Sequence, residues 1–148
     1  IGRPPTEAER EPWTLGLASR YRERRHEFEA AVATLHASVA VYEKFFGAWD
    51  VLLTPVMTRL PPRVGELAPD LPFEIQYERA STLVGFTPVQ NATGAPAMSV
   101  PLHWSKSGLP IGSHFAAKAG DERTLLELAY ELEAAHPWAG RRPPVAAA

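Results

Sequence analysis

The chain has no cysteine among its 148 residues, which removes disulfide frameworks and thiolate chemistry together. It has three lysines, Lys44, Lys106 and Lys118. They fall on a helix flank, in a polar turn and just after a strand, none desolvated enough for a neutral base. No apolar run nears the about 18 residues of a membrane span. The start carries no signal-peptide pattern. Charge of one sign is not in excess: a net charge of −2 argues against nucleic acid as the main partner. His103, His114 and His136 lack zinc spacing, so no metal site is expected, and nothing points to a cofactor. Gly108 and Gly112 are too sparse for a phosphate loop. No serine sits in a G-x-S-x-G elbow. A triad can be written from Ser113, His114 and Asp121, but neighbours on one strand point to opposite faces. A reducing cytoplasm fits this composition and is the expected location.

What is present suits one globular α/β domain. The chain is 45% apolar and 22% charged, which supports a core. Its fifteen prolines gather at strand ends and in loops, favouring several strands over a helix bundle. The first residue, Ile1, fits a processed, cleaved or partially observed chain.

Residues 86–120 organise the rest. Thr87-Pro88 is a helix start, with a capping hydroxyl and a proline at the first position. Asn91-Ala92-Thr93-Gly94 closes that short helix in the left-handed conformation. The same Asn-Ala-Thr matches a glycosylation pattern, a match that recurs by chance. Ala97 to Val100 reads as a buried strand whose ladder Pro101 stops. Ser105 to Gly108 is a polar turn. Pro110 to Ala117 is the second strand, with Ile111, Ser113 and Phe115 on one face and Gly112, His114 and Ala116 on the other.

Residues 1–5 read as a loose start. A helix is expected from Glu7 to Arg20 with Thr6 as its cap. The run Arg20 to Arg25 is interrupted by Glu23 and followed by Glu27 and Glu29, so it reads as a solvated helix face, with Arg25 and Glu29 able to pair. His26 to Phe46 is the strongest helix. Phe28, Val32, Leu35, Val39, Tyr42 and Phe46 recur every three or four residues and form one stripe. Asp50 to Thr54 is a short buried strand ended by Pro55. A strand after a helix suggests a crossover and parallel pairing. Thr58 to Pro72 is a proline-stiffened loop, and Phe73 to Val84 a helix broken by Gly85. Asp121 caps the last helix, whose stripe is Leu125, Leu128, Ala129 and Leu132. Pro137 ends it, Trp138 folds back, and residues 141–148 are extended.

Several of these residues, taken in order, resemble the C-terminal region of the amidase signature family. They are Phe86-Thr87-Pro88, Asn91, Thr93-Gly94, Pro96, Ser99-Val100-Pro101 and Gly108-Leu109-Pro110-Ile111-Gly112. Asp121-Glu122, Leu125-Leu126, Ala129, Leu132-Glu133 and Pro137-Trp138 continue it, and Asp50 to Pro55 precedes it. Within the family, Pro101-Leu102-His103-Trp104 and Arg141-Arg142-Pro143-Pro144 most resemble the lineage of 6-aminohexanoate-cyclic-dimer hydrolases.

The resemblance implies the C-terminal part of an amidase signature fold, a mixed sheet flanked by helices. It also implies amide C–N hydrolysis by a serine nucleophile, a second serine in a cis peptide and a neutral lysine. None of the seven serines lies in the Gly-Ser-Ser-Gly segment this needs. Residues 1–148 are therefore expected to be an amidase's C-terminal portion, inactive alone, with the catalytic N-terminal portion as partner and a small amide as substrate. Ser81, Val84, Gly85, Phe86 and Thr87 are carried over as a wall of the substrate channel. The same five residues could instead simply pack the core, since pockets and cores share apolar composition. A different class also stays open: a non-catalytic binding or scaffold module, stable as a monomer or homodimer.

Overall fold

A computed structural model of the chain describes residues 3, 6 and 10–142. Most of the loose start and of the extended tail lies outside the described residues. Arg141 and Arg142, which are described, carry neither helix nor strand, and the Arg141 guanidinium sits 3.9 Å from the centre of the Trp104 ring.

Helix α1 spans Pro12–Glu23 and so runs past the expected end at Arg20; residues 7–9 of the expected span lie outside the described residues, and Arg10 and Glu11 are not helical. Proline takes the first position, where a missing N–H costs nothing, and it holds Glu11 extended at φ −67°, ψ 150°. The cap is thus Glu11 rather than Thr6. The next helix also starts later than the expected His26. A 3-10 turn at Arg25–Glu27 precedes α2, Phe28–Phe45. That turn replaces the expected Arg25–Glu29 pair with Arg24 bonded to Glu27, Nε to Oε1 at 3.0 Å. On the predicted stripe Tyr42 is buried, but Phe28 and Leu35 stay about half exposed, at 50% and 51%.

Strand β1 is Val51–Pro55, α3 is Phe73–Leu83, and α4 is Pro88–Thr93. Gly94 closes α4 at φ +70°, the left-handed region glycine enters freely. At its other end Thr87 makes no capping bond with its side chain, contrary to the sequence expectation. Strands β2, Ala97–Trp104, and β3, Pro110–Ala117, form a hairpin. Helix α5, Glu122–Ala135, follows. Asp121 precedes it, but its carboxylate accepts from the Thr124 hydroxyl at 2.8 Å instead of capping the backbone.

The three strands lie in the order β1-β3-β2, and both pairings are antiparallel. The parallel pairing expected for β1 is therefore not made. β1 and β2 do run the same way, as a helical crossover requires, but β3 folds back and inserts between them. Nor is β1 buried: it is an edge strand with Leu53 61% exposed. Pro101 does not end β2 either. The ladder skips from Val100 to His103 through a bulge and resumes to Trp104. Proline lacks the donor a central strand needs, and β2 lies on the other edge, where a bulge absorbs the gap.

One sheet face packs on α5. Val100, Phe115, Ala117 and Leu125 form the buried cluster, with Met98, Leu102, Leu128, Leu132 and Trp138 against it. Burying Leu125 alone, at 3% exposure, stabilises the fold by about 1.5–3 kcal/mol. Away from this core, Trp13 on α1 packs against Phe73 and Tyr77 of α3 at 5.7 and 6.2 Å between ring centres. No helix of the described residues is long and apolar enough to cross a membrane.

Candidate functional site

The corner between α3 and α4 holds all five carried-over residues. Leu83 is buried, and Val84 leaves the helix in an extended conformation, φ −91° and ψ 99°. Gly85 follows because a Cβ there would lie 2.6 Å from the Thr58 methyl carbon. The loop after β1 thus approaches the corner closely. The Thr58 N–H donates to the Leu83 carbonyl at 3.2 Å, and its hydroxyl bonds the Thr82 carbonyl. Ser81, Val84 and Gly85 are exposed, while Phe86 and Thr87 are half-buried.

Thr58 also belongs to a groove of about 420 Å³, lined by residues 55–61, Ser99 and residues 110–112. Val56, Met57, Leu60 and Ile111 make it mainly apolar. Its one charged lining residue, Arg59, is bonded to Glu66. That bond, with the Arg63 N–H at 3.1 Å, holds the Glu66 carboxyl below the usual range. None of the five carried-over residues lines this groove; Thr58 joins the two features. Sequence reading missed the groove because three distant segments build it. The available signal was Val56-Met57, an apolar pair just past the proline that ends β1.

Gly112 sets how closely those segments meet. A Cβ there would lie 2.4 Å from Ser99 Oγ and 2.7 Å from a Val56 methyl. The small side of the Gly112, His114 and Ala116 face thus lets the segments approach closely.

The same face carries a polar row. Thr54, His114 and Ser99 are directly paired across the three strands. His114 is 5% exposed, and its Nδ1 lies 2.9 Å from the Thr54 hydroxyl. Burial lowers its pKa below the ordinary imidazole value, so it stays neutral near pH 7. His114 bonds Thr54 and Asp121 bonds Thr124, so Ser113, His114 and Asp121 form no triad through these contacts. Lys44, Lys106 and Lys118 are all exposed. Among the described residues no three His, Asp or Glu gather as metal ligands do.

One further polar residue escaped the sequence reading. Gln90 on α4 is 6% exposed. Oriented with its amide oxygen toward Tyr42, it accepts from that hydroxyl at 3.1 Å. Its nitrogen then donates to the Phe86 and Thr87 carbonyls, each at 3.1 Å.

The sequence model of the family described as Amidase matches residues 3–126. AmiC of Mycobacterium tuberculosis, which carries the name of an amidase, is 47% identical over 126 residues, covering 85% of this chain and 26% of its own length. The 6-aminohexanoate-cyclic-dimer hydrolase of Paenarthrobacter ureafaciens is 35% identical over 152 aligned positions, covering 97% and 31%. A solved structure of 6-aminohexanoate cyclic dimer hydrolase superposes with a TM-score of 0.82 at 34% identity, again covering 97% of this chain and 31% of that one. The chain thus spans 26–31% of the length of these relatives.

Proposed function

Because this chain belongs to the amidase family, we propose that it is the C-terminal segment of an amide C–N hydrolase, forming part of the fold and of the substrate wall. The observation that carries this reading is coverage. Nearly the whole chain superposes on a solved hydrolase, yet on only 31% of it.

The chemistry divides accordingly. Amide hydrolysis needs a serine made nucleophilic by a nearby base, and fixed donors at the oxyanion. By family resemblance, a serine, a cis-serine and a neutral lysine in the other portion provide these. The exposed lysines of this chain do not suit the role of neutral base. This segment's part is to present the Ser81–Thr87 corner, continued through Thr58 into the apolar groove, to the organic flank of a small amide. The uncovered β1 edge and exposed Leu53 give the partner a place to seat.

The test uses the N-terminal two-thirds of the Paenarthrobacter hydrolase, cut where the match to this chain begins. Aliphatic and aryl amides are assayed with the chain alone, the fragment alone and both together. Hydrolysis only in the mixture is expected; enzyme-like turnover by the chain alone overturns the reading. The α5-covered core favours a second reading, a self-contained binding or scaffold module. A cooperative unfolding transition of the lone chain, with no complementation, selects it.

A further inference from the structure

We propose that Gln90 and Tyr42 are positioning residues that fix the Phe86–Thr87 wall relative to helix α2; the inference rests on the reading that this corner borders substrate. Both side chains are buried, Gln90 at 6% and Tyr42 at 9% exposure. A primary amide in the interior is costly unless its groups are bonded, and a leucine or methionine would fill the space without that cost. Here the amide's oxygen and nitrogen are both engaged. The oxygen takes the Tyr42 hydroxyl of α2, and the nitrogen takes two successive carbonyls of the corner, all at 3.1 Å.

The corner needs such a tie. Thr87 provides no side-chain cap, and Pro88 has no N–H to anchor the turn. Thr58 holds the corner only on the α3 side, through the Thr82 and Leu83 carbonyls. Gln90 holds it on the α4 side. With both ties, the half-buried Phe86 and Thr87 side chains sit at a set height on α2. Without Gln90 the backbone at the wall is free to shift. Substrate placement then worsens while the distant reacting groups remain intact.

The experiment compares Tyr42→Phe, Gln90→Leu and Gln90→Glu in the complemented enzyme. Tyr42→Phe and Gln90→Leu are expected to raise KM about five- to tenfold with kcat within about twofold. Gln90→Glu, when protonated, restores a donor and an acceptor that Gln90→Leu lacks, and a packing role alone predicts no such rescue. Only a protonated carboxyl can donate to the Phe86 or Thr87 carbonyl, so burial there raises its pKa. The variant is closest to wild type below the ordinary glutamate range near ~4.3 and loses stability as pH rises through the raised folded value.

Thermal unfolding of the chain, wild type against Gln90→Glu and Gln90→Leu across pH, reads this without turnover. Glu43 and Lys118, the charged groups of the crevice beside Tyr42 and Thr93, are exposed and common to all of these proteins. Gln90→Glu more stable than Gln90→Leu at low pH supports the tie even if complementation fails. Gln90→Glu no more stable than Gln90→Leu there, or Gln90→Leu matching wild type in both KM and Tm, overturns it.

Discussion

Replacing Gly112 with alanine tests how tightly the groove floor is built. Gly112 sits in the central strand, where alanine normally gains about 0.5–1 kcal/mol over glycine by restricting the unfolded chain. The new methyl, however, would lie 2.4 Å from Ser99 Oγ and 2.7 Å from a Val56 methyl. Ser99 Oγ ends a short side chain at an exposed position and can rotate away. Val56 is β-branched and stiff at χ1, so it must retreat by roughly 0.7 Å to reach the 3.4 Å of ordinary contact. Overpacking of this kind costs about 1–3 kcal/mol, which exceeds the gain. The expected net effect is a loss of about 1–2 kcal/mol in urea unfolding, with the midpoint falling and the slope unchanged. Val56→Ala in the same chain removes the obstructing methyls. A double-mutant cycle should show coupling of about 1–2 kcal/mol between the two positions. Gly112→Ala stabilising the protein, with coupling near zero, would refute this account of the groove.

Two other outcomes follow from features of the sheet. His114 is a base whose pKa burial lowers below its ordinary value of 6.5, so the unfolded chain binds its proton first. Its contribution to stability is present above pH 6.5 and lost as pH falls below it, and His114→Gln should flatten that part of the stability profile measured by thermal melts. Leu53→Lys changes a 61% exposed side chain, so the chain's own stability should move by no more than about 0.5 kcal/mol. The same change should weaken capture of the catalytic portion at least about tenfold in a titration, because a charge would enter a desolvated seam; unchanged capture would place the seam elsewhere.

Where local chemistry decides, the sequence was a good guide. The bounds of β3, the left-handed stop at Gly94 and the apolar stripe of α5 follow from prolines, glycines and spacing within a few residues. The errors share a non-local cause. Pro101 reads as a strand end unless one knows that β2 is an edge. The pairing of β1 was not legible, because nothing near Val51 reveals that β3 inserts beside it and runs antiparallel. Periodicity located the apolar stripe of α2 without telling that Phe28 and Leu35 go half uncovered. Of the candidate site, the α3–α4 corner was put forward through family resemblance. The groove and the Gln90 tie were not, since one joins three distant segments and the other depends on a tyrosine 48 residues away.

The two borders of the sheet differ in what they allow. Pro96, Pro101 and the bulge leave the β2 side unfit for continuous pairing, whereas the β1 side presents five regular residues. Strand-by-strand stacking of this polypeptide into fibres needs two receptive borders per molecule, and the described residues offer one. Self-association through that border therefore stops at a pair of molecules rather than growing into a fibre.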